Sequence, residues 1–164
     1  MHAEALWFVY SITDAMDVDG MHVLEIGSRC VNGGVRRLFG GCAGYVGIDR
    51  EDGPGVDVVA DAREYDGAGR FDLVISTEAM EHEPEPQAIV DCAWRALRSG
   101  GVFVVTAVGP GRAAHGCDGQ PLLEGEHYAP ITKVRMRDML RGWGNVKTWS
   151  FPAHGDVYAA AVRP

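Results

Sequence analysis

An α/β fold with a mostly parallel, seven-stranded sheet, helices on both faces and a C-terminal antiparallel hairpin is predicted by two features of the sequence. Five short apolar runs alternate with amphipathic stretches, and two further runs at the end of the chain are joined by a short turn. Such alternation is typical of parallel sheets covered by helices. The chain has 164 residues, 46% of them hydrophobic and 23% charged, which predicts one domain over residues 1–164.

The five apolar runs predict parallel strands that are buried on both faces. Their hydrophobicity is nearly continuous rather than alternating, as expected where helices exclude water from both sides of a sheet. These runs cover residues 22–26, 45–48, 56–59, 71–75 and 102–108. The last two runs, 146–151 and 157–162, flank a turn that contains Pro152 and Gly155, and therefore predict the hairpin.

Apolar residues spaced three and four positions apart predict the helices that connect these strands. The predicted buried faces are, in chain order, Leu6, Val9, Tyr10 and Thr13; Val35, Leu38 and Phe39; Ile89, Ala93 and Leu97; and Met136, Met139, Leu140 and Trp143. Pro84 and Pro86 can open the third helix, because proline is tolerated in a first turn. The segment Ser99-Gly100-Gly101 is expected to end that helix.

Composition excludes several classes of function. The formal net charge of -8 disfavours nucleic acid as a partner, since binding to phosphate backbones depends on basic residues. No CxxC, HxxxH or HExxH spacing occurs, so neither a metal site nor a disulfide framework is expected. The apolar run 5–12 lacks a basic leader, and no stretch reaches the roughly 20 residues that span a bilayer. A cytoplasmic protein without membrane contact is expected.

Polar or small residues follow the first, second and fourth predicted strands, and also the third. Gly27 begins a small-residue turn that lets backbone N–H groups approach a ligand, although a tight turn without a ligand would look similar. Asp49 lies about 20 residues further on, where a carboxylate accepts ribose hydroxyls in nucleotide-binding sheets. Asp61 and the segment 76–82 follow two more strands. Because ligands bind beyond the carboxyl ends of parallel strands, these residues are expected to converge on one crevice.

The segments VLEIGS, YVGIDRE, VDVVADA, FDLVISTEAMEHEP and LRSGGVFVVTA resemble those of class I S-adenosylmethionine-dependent methyltransferases, most closely the small type 11 branch. This resemblance implies an enzyme with a Rossmann-like methyltransferase fold and S-adenosylmethionine as its cofactor. It implies that Glu25 and the Gly27 turn hold the methionine part, Asp49 the ribose, and Asp61 with Ala62 the adenine edge. The cofactor-binding residues so implied are Glu25, Gly27, Ser28, Arg29, Asp49, Arg50, Asp61, Ala62, Thr77, Glu78 and His82.

The turn after the first strand departs from the family pattern. Arg29 and Val31 occupy positions where the family usually has glycine, and Asn32-Gly33-Gly34 follows. The turn must therefore be longer or shaped differently, as in a smaller branch with a VNG-type loop that looks similar. The resemblance also implies that Gly100 and Gly101 are structural and supply a backbone with positive φ.

Two other functions stay open. A nicotinamide-dependent oxidoreductase would share the role of Asp49 but requires a G-x-G-x-x-G turn, which Ser28-Arg29 breaks. A non-catalytic S-adenosylmethionine-binding or partner-binding module would suit a short chain with little room for a substrate cap. If the chain is an enzyme, a small molecule, sugar or peptide is the expected acceptor, since the Asp/Asn-Pro-Pro-aromatic and Pro-Cys motifs of DNA methyltransferases are missing.

The glycine-rich stretch 109–130 is predicted to be a mobile lid over the cofactor. It follows the fifth strand at the ligand-binding edge and is longer than a compact domain usually retains without a function. His115 and His127 lie in it and are the candidate catalytic residues, because methyl transfer to a hydroxyl can use a histidine as a general base.

Overall fold

The computed structural model describes residues 3–164, a range that excludes Met1 and His2. Its helices are α1 (Ala3–Asp14), α2 (Gln87–Ala96) and α3 (Lys133–Met139), with short 3-10 helices at Arg36–Phe39 and Met80–His82. The strands are β1 (His22–Ile26), β2 (Gly44–Asp49), β3 (Val58–Val59), β4 (Phe71–Thr77), β5 (Leu97–Val108), β6 (Gly144–Phe151) and β7 (Asp156–Val162).

All seven strands form one sheet in the order β3-β2-β1-β4-β5-β7-β6. The pairs from β3 to β5 are parallel, and β7 lies antiparallel between β5 and β6. The predicted fold class, a mostly parallel seven-stranded sheet with a C-terminal antiparallel hairpin, is confirmed. The chain order reverses between β1 and β4, and this reversal opens a crevice at the carboxyl ends of the strands.

Two apolar cores lie on opposite faces of the sheet. On one face, α1 and the 36–39 turn cover Val23, Leu73 and Val104. On the other face, α2 and α3 cover residues that alternate with these along the strands, such as Leu24 and Val74. Because successive side chains of a strand point to opposite faces, two cores require apolar residues at nearly every position of β1, β4 and β5.

The prediction that strand 56–59 is buried on both faces was wrong. Only Val58 and Val59 form β3, which pairs with β2 at the edge of the sheet, and these side chains are 42% and 57% exposed. Within residues 3–164, the connections on either side of β3 are turns rather than helices. The valines therefore reflect the β propensity of branched residues rather than burial.

The first two predicted helices differ from the prediction in their buried residues or in their length. In α1 the buried residues are Ala5, Phe8, Val9 and Thr13, whereas Tyr10 is exposed and donates a hydrogen bond to Asp14. The ring of Phe8 packs against Trp149 and Tyr158 of the hairpin, at 5.1 and 4.7 Å between centroids. After β1 the chain forms only the 3-10 turn Arg36–Phe39, in which Phe39 is buried.

The glycine pair after α2 has a different role from the one predicted. Helix α2 ends at Ala96 and β5 begins at once at Leu97, so the segment containing Gly100 lies within the strand rather than ending the helix. Gly100 has φ +78°, but Gly101 does not have positive φ. Gly101 is small for another reason: a Cβ there would lie 2.8 Å from the Leu97 side chain.

The two burial patterns predict different costs of truncation. Leu73→Ala removes a fully buried side chain from β4 and should lower the free energy of unfolding by about 2–5 kcal/mol. Val59→Ala, at the exposed edge, should change it by no more than about 0.5 kcal/mol. Urea denaturation of both variants tests this, and equal losses would mean that β3 is covered.

Candidate functional site

A cavity of about 550 Å³ lies at the carboxyl ends of β1, β2 and β4. Its walls come from the turn after β1, the end of β2, the segment after β4 and the first half of the loop 109–130. The volume is in the range of sites for small molecules and cofactors. The convergence of polar strand ends predicted from the sequence therefore corresponds to a real concave site.

The turn after β1 is fixed by one carbonyl group. Gly27 and Ser28 both donate their backbone N–H to the oxygen of Ile48, at 2.9 and 3.0 Å. These two amides are used within the protein, so the turn approaches a ligand by its shape rather than through their N–H groups. Gly27 has φ +78°, and a Cβ there would lie 2.6 Å from that of Ala79. Glycine is therefore required by both conformation and space.

Asp49 lies on the cavity wall at the end of β2, with its carboxylate held by two backbone groups. Arg29 donates its N–H to Oδ2, and Glu51 donates its N–H to Oδ1, each at 3.1 Å. Each carboxylate oxygen keeps a lone pair for a ligand, because one carboxylate can accept about four hydrogen bonds. The two oxygens of Asp49 are therefore oriented so that each could accept a hydrogen bond from one of two neighbouring hydroxyl groups.

Glu25 is a buried carboxyl at the base of the cavity, with 3% of its surface exposed. The Tyr45 hydroxyl donates a 2.7 Å hydrogen bond to its Oε2. Burial raises the pKa of Glu25 to about 7, against the opposing effects of the Tyr45 hydrogen bond and the Arg36 charge. A cationic group bound nearby would favour the ionised form of this carboxyl.

Not every predicted cofactor residue lines the cavity. Ala62 does, whereas Asp61 does not and instead accepts hydrogen bonds from Arg63 through both carboxylate oxygens. Ser28 contributes to the wall, but its hydroxyl is buried without a hydrogen-bond partner and lies close to Gly47, where a Cβ would be 2.7 Å from Oγ. Arg29 and Arg50 line the rim and form ion pairs with neighbouring carboxylates.

The end of β4 brings Thr77 to the cavity, and the segment after it brings Glu78 and His82. Glu78 has φ +53°, a conformation that costs energy for a residue with a side chain. Its carboxylate is held by Arg112, at 3.0 Å, and by the Thr106 hydroxyl, at 3.2 Å. The surrounding contacts therefore hold Glu78 in a strained backbone position at the cavity wall.

Arg112 is a site residue that the sequence did not reveal. It lines the cavity and its Nη1 lies between Glu78 and Asp156, at 3.0 and 2.8 Å. The Asp156 carboxylate also accepts a 2.7 Å hydrogen bond from Tyr158. Arg112 thus ties the loop 109–130 to β4 and β7. An arginine in a glycine-rich loop carries no pattern that would have distinguished it from a surface residue.

Three rings form a cluster where the loop meets the segment after β4. The centroid of the His82 ring lies 5.3 Å from that of His115 and 5.7 Å from that of Tyr128. The centroids of the His115 and Tyr128 rings are 5.0 Å apart. His82 and His115 line the cavity, whereas the other candidate catalytic residue, His127, does not. Burial lowers the pKa of His82, and the neighbouring His115 lowers it further.

Glu81 is a second residue that sequence reasoning missed. It is fully buried, and neither carboxylate oxygen has a hydrogen-bond partner. Burial raises its pKa well above the ordinary value, and the Glu78 carboxylate raises it further. A glutamate in a polar segment gives no sign that its side chain points inward. The neutral acid is the stable form in this environment.

Neither a metal-binding cluster nor a membrane-spanning helix is present in the described part of the chain. Residues 3–164 contain no group of three or more His, Cys, Asp or Glu residues arranged to hold a metal ion. No helix in this range is long and apolar enough to cross a membrane. The four cysteines are free thiols.

Comparison with known proteins supports the predicted resemblance. The model of the type 11 methyltransferase family, whose description is "Methyltransferase domain", matches residues 41–105 of this chain. A ubiquinone biosynthesis O-methyltransferase of Psychrobacter cryohalolentis is 46% identical over 41 residues, which are 25% of this chain and 16% of that protein. This chain therefore matches far less than two thirds of that relative's length.

Solved methyltransferase structures share the fold. A 1,6-didemethyltoxoflavin N1-methyltransferase of Burkholderia thailandensis, with S-adenosylhomocysteine bound, is 16% identical, with a TM-score of 0.71 over 97% of this chain and 78% of that chain. Phosphoethanolamine N-methyltransferase 2 of Haemonchus contortus, in complex with S-adenosylmethionine, is 16% identical, with a TM-score of 0.69 over 96% of this chain and 53% of that chain. The resemblance to class I, type 11 methyltransferases is confirmed, and the predictions of an enzyme and of S-adenosylmethionine as its cofactor agree with it.

The buried carboxyl of Glu25 predicts a specific dependence of stability on pH. Its raised pKa means that the folded state holds the proton more tightly, so the unfolding free energy should fall as the pH rises from 4.5 to about 7. Glu25 should account for roughly 3 kcal/mol of this decrease in unfolding free energy, and the decrease should be smaller by that amount in Glu25→Gln. Urea denaturation at several pH values measures it. Glu64→Gln, at an exposed position, should keep the slope, and an unchanged slope in Glu25→Gln would contradict the assignment.

Proposed function

We propose that this chain transfers a methyl group from S-adenosylmethionine to a small-molecule acceptor. The observation that carries this proposal is the strand-end cavity, whose wall includes Glu25, Gly27 and Asp49. These are residues to which the family resemblance assigns cofactor binding. Of the full set it assigns, all but Asp61 line the cavity.

The residues present suit this cofactor. In the proposal, Asp49 accepts hydrogen bonds from the two ribose hydroxyls, since its carboxylate is oriented by two backbone N–H groups and keeps free lone pairs. Glu25 faces the methionine part, where the ammonium group complements a carboxyl that ionises near neutral pH. Gly27 lets the chain pass close to the ligand. Ala62 contributes the wall on the adenine side.

The bound cofactor supplies an activated methyl group, so the protein's main tasks are to align the acceptor and to keep water out. The loop 109–130 is placed for both tasks. It contributes His115 and Cys117 to the cavity wall and is anchored by Arg112 at its start. We propose that the rest of this loop is a lid that closes over the bound cofactor.

A small molecule is the favoured acceptor, with sugars and peptides as alternatives. The structural relatives named above act on 1,6-didemethyltoxoflavin and, by its name, phosphoethanolamine, both small molecules. The net charge of -8 disfavours nucleic acid. A cytoplasmic location is part of the same proposal.

A non-catalytic module that only binds S-adenosylmethionine is the alternative function. It would share the cavity and would bind the cofactor without turnover. The nicotinamide-dependent oxidoreductase is disfavoured by the turn after β1, where Arg29 occupies a position that needs glycine for pyrophosphate binding.

Substitution of Asp49 tests the proposed cofactor site. Asp49→Ala should weaken binding of S-adenosylhomocysteine by about 1–3 kcal/mol, because two ribose hydroxyls lose a charged partner. Isothermal titration calorimetry measures the affinity. Asp52→Ala removes a neighbouring exposed carboxylate outside the cavity and should leave the affinity unchanged. Equal effects of the two substitutions, or no binding to the folded unmodified protein, would contradict the proposed site.

Closure of the loop predicts a change in hydrogen exchange. Amides of residues 112–128 should be protected more strongly when S-adenosylhomocysteine is bound, because an ordered lid opens less often. Mass spectrometry of the exchanged protein measures this for each peptide, with the remote turn 15–20 as the internal control. Equal protection of 112–128 in the free and bound protein would show that this segment is not a lid.

A further inference from the structure

We propose that Tyr45 is a positioning residue for the cofactor: its hydroxyl holds the Glu25 carboxyl so that one oxygen faces the ammonium group of S-adenosylmethionine, and a proton leaves this carboxyl when the cofactor binds. This inference rests on the proposed function, which already puts Glu25 beside the methionine part. It adds the residue that orients Glu25 and the proton that binding releases. Three observations carry it: the open oxygen of Glu25, the lack of a protein cation beside it in the described part of the chain, and the contacts that fix the Tyr45 ring.

The Glu25 carboxyl has one occupied oxygen and one open oxygen. The Tyr45 hydroxyl donates a hydrogen bond to Oε2 at 2.7 Å. Within residues 3–164 no donor contacts Oε1, although this atom is not sealed from solvent, and Glu25 lines the cavity. A carboxylate oxygen can accept about two hydrogen bonds. The open side of the carboxyl therefore faces the space that a ligand would occupy.

The protein supplies no cation to Glu25. In the described part of the chain, no basic side chain forms an ion pair with it, and the cavity-lining Arg29 and Arg50 pair with Glu51 and Glu83 instead. Glu25 is 3% exposed, and an ionised carboxylate that is buried without a cation is costly. An ammonium group bound at Oε1 supplies the missing charge, so the ligand itself completes the ion pair.

The charged and titratable groups that face Glu25 come from three segments. They are Tyr45 and Asp49 of β2, Arg36 of the 3-10 turn, and Asp57 before β3. Burial raises the pKa of Glu25 to about 7, and the two aspartates raise it as well, whereas the Tyr45 hydrogen bond and the Arg36 charge lower it. At pH 7 the free protein therefore holds a proton on Glu25 in about half of its molecules. A cation bound beside the carboxyl displaces this proton.

The ring of Tyr45 is fixed by contacts outside the cavity. It packs against Phe39, with 5.5 Å between the ring centroids, and the guanidinium of Arg36 lies over it at 4.7 Å from the centroid. Arg36 in turn forms an ion pair with Asp57, which accepts the N–H of Gly47 at 2.7 Å. Because these contacts hold the ring, the hydroxyl keeps the buried carboxyl in one orientation.

The proton released on binding comes from Oε1. Since Oε2 accepts the hydrogen bond from Tyr45, Oε1 carries the proton in the neutral form of Glu25. Its O–H bond breaks, the electron pair stays on the oxygen, and the proton passes to water. Oε1 then accepts a hydrogen bond from the ammonium group, and no covalent bond of the ligand changes. Charge-assisted hydrogen bonds of this kind are stronger than neutral ones.

Titration calorimetry with S-adenosylhomocysteine, which has the same amino-acid part, tests the proton release. For the unmodified chain the affinity should fall about tenfold from pH 8 to pH 6, because the ionised fraction of Glu25 falls to about a tenth. At pH 7, titrations in phosphate and in Tris, which differ in ionisation enthalpy, should show release of about half a proton per ligand. 5′-Methylthioadenosine lacks the amino-acid part, and its affinity should be the same at pH 6 and pH 8.

Glu25→Gln isolates the contribution of this carboxyl. The variant should bind S-adenosylhomocysteine more weakly than the unmodified chain at pH 8 and should lose the pH dependence between pH 6 and pH 8. It keeps His82 and His115, the histidines of the cavity wall, so a pH dependence that came from them would persist. Its affinity for 5′-methylthioadenosine should be unchanged, which shows that the cavity is intact.

Tyr45→Phe tests the positioning role, since it removes the hydroxyl and keeps the ring. Loss of a hydrogen bond that favours the ionised carboxyl raises the pKa of Glu25 further. The loss of affinity for S-adenosylhomocysteine should therefore begin at a higher pH, and the affinity at pH 7 should fall at least about threefold. Tyr10→Phe is the matched control, because Tyr10 also donates to a carboxylate, that of Asp14, at an exposed position of α1. It should keep both the affinity and its pH dependence.

The possible failures are distinct. If the folded, unmodified protein binds neither S-adenosylhomocysteine nor 5′-methylthioadenosine, the proposed function itself is overturned. Binding of both ligands, with an affinity for S-adenosylhomocysteine that stays constant or increases from pH 8 to pH 6, would overturn the proton release. The role of Tyr45 is overturned if Tyr45→Phe behaves like the unmodified chain, or if it weakens both ligands equally at every pH.

Discussion

The carbonyl oxygen of Ile48 accepts two hydrogen bonds, from the N–H groups of Gly27 and Ser28, and the cavity depends on this shared acceptor. It joins the turn after β1 to the end of β2 just where the two parallel strands stop pairing. With the turn fixed, the N–H of Arg29 reaches the carboxylate of Asp49 and orients it. The main polar wall of the cavity is therefore set by backbone geometry, and the side chains adapt to it.

A second set of contacts builds the opposite wall from residues far apart in the chain. Arg112 holds Glu78 and Asp156 together, and so connects the loop, β4 and β7. The strained backbone of Glu78 is maintained because its carboxylate has partners on both the loop and β5. The two walls differ in kind: one rests on adjacent strands, and the other on an ion-pair network that includes the strand inserted between β5 and β6.

The sheet was largely predictable from the sequence, because apolar runs and their spacing follow directly from two buried faces. The exceptions have local causes. Val58 and Val59 have strand propensity without burial, and periodicity cannot show that an edge is uncovered. Strand ends place residues such as Asp49 at the crevice by topology alone, so most of the cavity wall was predictable. Arg112 and Glu81 were not, because their roles depend on how a glycine-rich loop folds back over the sheet and on which way a side chain turns.

The position of β7 determines which contacts can form only late in the synthesis of the chain. Asp156, which anchors Arg112, lies on the strand that pairs with β5 only after residues 156–162 have been synthesised. During translation, β1, β2 and β4 can pair while β5 still has an open edge, which is a template for non-native pairing. The nascent chain therefore carries an exposed strand edge and a loop without its anchor until the hairpin has left the ribosome. The contact between Arg112 and Asp156, which anchors the loop 109–130, can form only after this interval.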